Sequence, residues 1–86
     1  MYIVEFWSDD VAAAVDALPA HLLAGFAELR AALELAPWNV GIPYVASNPA
    51  GSRTTTLGAD GEVIVVFGIR ETDARVVTII DVTPSL

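Results

Sequence analysis

The spacing of apolar residues along this chain changes from strand-like to helical and back. Tyr2 to Trp7 is β-branched and aromatic with one charge, which predicts a strand over 2–7. Its largely apolar character implies burial on both faces and neighbours in a sheet. Ser8 follows as a helix N-cap, with Asp9 and Asp10 placing negative charge where the first turn favours it. Val11, Val15 and Leu18 then recur on one helical face, predicting a helix near 9–18. Pro19 interrupts the pattern and suits the first turn of a second helix, over 19–36. Leu22, Phe26, Leu29 and Leu33 form its stripe, widened by Leu23, Ala27 and Ala31. Arg30 and Glu34 are spaced as an outer ion pair, and Pro37 ends the helix.

Residues 38–51 carry Gly41, Pro43, Asn48, Pro49 and Gly51, the composition of a linker. Within it Ile42, Tyr44 and Val45 either form a short edge strand or pack down, and Trp38 is placed to plug the helix end. Three strands are predicted after it, near 53–57, 62–69 and 75–82. The Asp60-Gly61 pair signals a tight hairpin between the first two. The almost unbroken apolar run Val63–Ile69 reads as the central strand. Residues 70–74 are a polar turn, and 83–86 trail off. The order β-α-α-β-β-β is an α+β fold: a helical hairpin packed on an antiparallel sheet. The expected core is Leu22, Phe26, Leu29, Leu33, Ile64, Val66, Val77 and Ile79.

Length makes this one domain, residues 1–86, with a thin core. The hydrophobic fraction is 55%, high for so small a domain, and points to apolar surface covered by a partner or by a second copy. There is no Cys, no signal-peptide pattern at the N-terminus and no apolar run long enough for a membrane span, so a cytoplasmic setting is expected. Eleven carboxylates face four arginines, Arg30, Arg53, Arg70 and Arg75, with no Lys, for a net charge of −7. Such a balance predicts no tight nucleic-acid binding by the isolated chain.

Chemistry is sparse. No phosphate-binding, zinc-protease or Cys-x-x-Cys motif occurs, and no cofactor or metal is expected. Asp9 and Asp10 lack a third ligand and read as helix-capping charges. Ser8, His21 and Asp9 make a triad only on paper, and His21 reads as a structural residue near a helix start.

Several ordered patterns nevertheless resemble one family. They are the opening Tyr2-Ile3-Val4-Glu5-Phe6; the joint Asp16-Ala17-Leu18-Pro19; the helix end Leu33-Glu34-Leu35-Ala36-Pro37 followed by Gly41 and Pro43; Arg53 to Leu57 with the Gly-rich turn and Val63 to Phe67; and Val76 to Val82. Together they resemble the RelE/ParE-type toxin superfamily of bacterial type II toxin–antitoxin systems. The resemblance implies a RelE/ParE-like fold and a cognate antitoxin as partner. It also implies, in the nuclease members, messenger-RNA cleavage by arginines and lysines on the central strands with a C-terminal His or Tyr. Here Arg53 stands where the first of those strands carries Arg. Val63 or Ile64 occupies the place of a second Arg, Phe67 replaces a Tyr, and the tail has no His, Tyr or Lys. In-line cleavage needs a base and cationic stabilisation, and neither is evident.

Three readings follow. One is a toxin-like component held by an antitoxin, without evident ribonuclease chemistry. Another is an inactive scaffold of the same fold, acting as a dimerising or partner-binding module. The third is an endoribonuclease with Arg53, Arg70 and Arg75 as its catalytic candidates.

Overall fold

Residues 1–45, 47–48 and 51–85 are described here from a computed structural model. Pro49, among the expected linker turn formers, and Leu86, in the expected tail, lie outside the described residues. The first strand, β1 (Ile3–Phe6), leads through the Ser8 cap into helix α1 (Asp9–Asp16). The Val11 N–H donates to the Ser8 hydroxyl at 3.3 Å, as the N-cap reading requires. Pro19 caps α2 (Ala20–Leu35), its carbonyl accepting from the Leu22 and Leu23 N–H groups. Pro37 opens a single 3₁₀ turn (Pro37–Asn39) rather than simply stopping the helix. Strands β2 (Ile42–Pro43), β3 (Arg53–Leu57), β4 (Val63–Arg70) and β5 (Val76–Pro84) complete the chain.

The five strands form one sheet in the order β1-β5-β4-β3-β2. The β3-β4-β5 meander is antiparallel, with Gly58 (φ 89°) and Gly61 (φ 66°) making its first turn possible. β1 lies beside β5 in parallel, so the sheet is mixed where an antiparallel one was expected. It is also an edge strand, and Ile3 is exposed; its apolar run marks one buried residue, Val4, rather than burial on both faces. Thr83 and Pro84 extend the last strand, and Arg70 ends β4 instead of opening the turn.

Both helices cover the same face of the sheet. Val11 and Val15 of α1 and Leu22, Phe26, Leu29 and Leu33 of α2 are buried against Val4, Leu57, Val63, Val65, Phe67, Val77, Ile79 and Val82. Phe6 and Phe26 stack with ring centroids 6.2 Å apart, tying β1 to α2. Leu23, Ala27 and Ala31 are exposed, so the helical stripe is narrower than its sequence pattern. Arg30 does not pair with Glu34; its Nη2 donates to the Val4 carbonyl at 3.4 Å, on the outer side of β1.

One expectation about the core is reversed. The buried face of β4 is Val63, Val65 and Phe67, while Ile64 and Val66 sit half-buried on the opposite face. The reason is register: Phe67 lies opposite Ile79 and Val65 opposite Val82, so these residues share the helix-covered side. A strand that is apolar on both faces gives alternation nothing to choose between.

Candidate functional site

The three candidate arginines occupy different surroundings. Arg53 is on the helix-covered face, opposite Phe67, and is buried. Its Nε donates to the Val40 carbonyl at 3.1 Å, and its Nη2 to the carbonyls of Trp38 at 3.3 Å and Gly41 at 3.0 Å. The guanidinium carbon also lies 5.8 Å from the centre of a Trp38 ring. Its Nε and Nη2 donors therefore close the segment between α2 and β2. Arg70 is exposed at the end of β4, on the uncovered face by the pleat of that strand. Arg75 is exposed just before β5, its guanidinium carbon 5.8 Å from the Tyr2 ring centre. Arg70 and Arg75 thus stand at the two ends of the β4–β5 turn, while Arg53 is turned inward onto backbone carbonyls.

What it does gather is a hydrogen-bonded set that local sequence pattern does not reveal. The Tyr2 hydroxyl donates to Glu71 Oε1, and Trp38 Nε1 donates to Glu71 Oε2 at 2.9 Å. Arg75 flanks the set through the Tyr2 ring and Arg53 through Trp38. The carboxylate acceptor raises the Tyr2 pKa, and the Tyr2 and Trp38 donors, in that order, lower that of Glu71. Three chain segments are joined here: the start of β1, the 3₁₀ turn and the β4–β5 turn. Trp38 remains partly exposed, so it serves this junction more than it plugs the helix.

Among the described residues no helix covers the second face of the sheet. Ile3, Ile42, Ile64, Val66 and Ile80 are exposed or half-buried. Register places all but Ile80 on this face, and Ile80 joins them through its approach to Gly68. Tyr44 and Val45 are exposed beside β2 rather than packed down. At the β2–β3 side an open-mouthed cavity of about 410 Å³ is lined by Gly41, Ile42, Thr54, Thr55, Thr56 and Ile64. Glu5 accepts from the Thr78 hydroxyl at 3.3 Å, and Asp81 stands opposite Val66. His21 lies elsewhere, its Nε2 3.2 Å from Glu62 Oε2 with both side chains exposed.

Among the described residues no group of three His, Cys, Asp or Glu could hold a metal. No described helix is long and apolar enough to cross a membrane. A Gly41-x-Pro43 stretch and a Thr run were the only signals of the cavity, and neither identifies a concave site before the fold is known.

No family model and no curated protein matches this chain in sequence. A chain from the crystal structure of the archaeal RelE–RelB complex of Pyrococcus horikoshii OT3 matches its structure with a TM-score of 0.67. The match covers 96% of this chain and 93% of that one at 19% identity. At that identity the likeness is one of fold, and it bears out the RelE-like architecture expected from the ordered sequence patterns.

Proposed function

We propose that this chain is the toxin-type member of a toxin–antitoxin pair, held by a protein partner, and that it does not cleave RNA through an arginine centre. The observation that carries the reading is the fold shared over almost its whole length with a chain of a RelE–RelB complex. The uncovered, partly apolar sheet face supports a protein partner, since such faces are otherwise unfavourable in water. The mode of action follows from Arg53. A phosphate-stabilising arginine must present its fork to substrate, whereas this one is buried and bonded to three carbonyls.

The same observation favours a second reading, a partner-binding or dimerising scaffold of this fold with no toxic action. Inducible expression of the chain alone in a bacterial host separates the two. Growth arrest, relieved by co-expression of the neighbouring reading frame, supports the toxin reading. Unimpaired growth at verified expression of folded protein rejects it and leaves the scaffold. Loss of messenger RNA on arrest, abolished by Arg70→Ala or Arg75→Ala, would overturn the non-nuclease part.

A further inference from the structure

We propose that the open ladder position beside Thr56 is the docking site for an extended, apolar segment of a partner protein that carries lysine or arginine. The proposal rests on the partner-held reading above and states where the partner engages.

The position follows from hydrogen-bond parity. Tyr44 N–H donates to the Ser52 carbonyl at 2.8 Å, and Ile42 stands opposite Thr54. Alternation in an antiparallel pair then points the main-chain groups of Ser52, Thr54 and Thr56 toward the β2 side. The other side of the sheet agrees. Ser85 N–H donates to the Glu62 carbonyl at 3.1 Å, which turns Ile64 and Val66 toward β5 and leaves Val63 and Val65 to bond with Leu57 and Thr55.

Continuing β2 in register would bring Val40 opposite Thr56, but the chain does not continue. Gly41 turns it away at φ 67°, Val40 N–H bonds to Pro37, and the Val40 carbonyl accepts from Arg53. Thr56 is exposed, and its N–H and C=O face the space that a longer β2 would have filled. The 410 Å³ cavity lies at this place, with Ile42 and Ile64 in its wall.

An N–H and C=O of one residue that meet no partner among the described residues match the C=O and N–H of one residue of a partner strand, and an apolar side chain beside them has a cavity to enter. The opposite edge of the sheet is guarded: Tyr2 N–H bonds to the Glu34 carbonyl and Arg30 reaches the Val4 carbonyl. The charge of the segment follows from its surroundings. Asp60 lies in the turn that follows β3, and the chain carries a net charge of −7 with no Lys. That charge disfavours a second copy and favours a cationic strand.

Amide exchange of the isotope-labelled full chain, read by NMR, tests this. The probe is a short synthetic peptide of alternating Val and Lys. Its controls carry Glu for Lys, or a methyl group on the central valine nitrogen. The Val/Lys peptide should slow exchange of the Thr56 amide about tenfold or more and shift the Ile42 and Ile64 signals. Both controls should leave them unchanged. Thr56→Pro removes the outward N–H together with one side chain of the cavity wall, and should abolish binding. The N-methyl control makes the same test from the peptide's side should that variant fold poorly. Three results would overturn the proposal: no slowing at Thr56 at about 1 mM peptide, an equal response to the Glu peptide, or a Thr56 amide already protected in the free chain. Growth arrest on expression reads the toxin assignment separately, so failure of either leaves the other standing.

Discussion

Arg53 Nη2 donates to the Gly41 carbonyl at 3.0 Å, so one buried cation fixes the bend at which β2 begins. With the bonds to Trp38 and Val40 it closes the path from α2 back to the sheet. Arg53→Met keeps the bulk and leaves these carbonyls without their donor. It should lower unfolding free energy by about 2–4 kcal/mol in urea titrations at neutral pH. Arg53→Lys should recover only part, since an ammonium cannot span three carbonyls as a fork does. A loss within error for Arg53→Met would return this residue to the list of free cations.

Gly41 itself admits no side chain. At φ 67° a Cβ there would stand 2.1 Å from the Thr54 carbonyl oxygen. The left-handed backbone alone costs a non-glycine residue about 1–2 kcal/mol. Gly41→Ala should therefore lower stability by more than that and free the Ile42 and Thr54 amides to exchange, with β4 and β5 amides following only global unfolding. Preserved protection at Ile42 would contradict the close approach.

The junction of Tyr2, Trp38 and Glu71 has a defined pH window. Glu71 is held below its ordinary pKa, so its contribution is present above the unfolded carboxylate range and is lost as pH falls through the folded value. Tyr2 is raised, so its contribution is present below the ordinary tyrosine value and is lost as pH rises through the folded one. Trp38 fluorescence in a Trp7→Phe background should show both transitions. Glu71→Gln should remove the acid one and bring the tyrosine titration back toward its ordinary position. An unchanged profile in that variant would remove Glu71 as the acceptor.

How far the sequence could be read depends on where each pattern was one-sided. The helices were legible because Leu22, Phe26, Leu29 and Leu33 recur at helical spacing, and all four are buried. In β4 every second position is apolar on either count, so the choice between Ile64 with Val66 and Val65 with Phe67 needed the pairing to β5. Arg53 was a catalytic candidate because the resemblance places an arginine on that strand, whereas the fold buries it. The pairing to β4 puts it on the covered face with Leu57, and the carbonyls it binds belong to a turn no periodicity describes. Tyr2 and Glu71 are 69 positions apart, beyond any local signal.

Truncations on the two faces of β4 make that distinction quantitative. Phe67 is fully buried, and Phe67→Ala should cost about 3–5 kcal/mol. Ile64, half-buried at the cavity, should cost less than half as much when cut to Ala. Equal losses in urea unfolding would mean that the uncovered face is packed in solution.

RNA binding is the last expectation, and the surroundings of the arginines now sharpen it. Arg53 is turned inward onto carbonyls, and Arg30 reaches the Val4 carbonyl at the edge of β1. Arg70 and Arg75 remain on the surface at the two ends of the β4–β5 turn, among eleven carboxylates in the whole chain. Two phosphate contacts would give a slope of log affinity against log salt of about −1.4 for a single strand. With a net charge of −7 opposing approach, binding should be weaker than about 100 μM near physiological salt. Fluorescence anisotropy of a labelled single-stranded RNA across a potassium chloride series measures both quantities. Micromolar affinity with a slope of about −4 or steeper would require a cationic surface that these four arginines do not form. That result would reinstate the nuclease reading, with Arg70 and Arg75 as the first positions to replace.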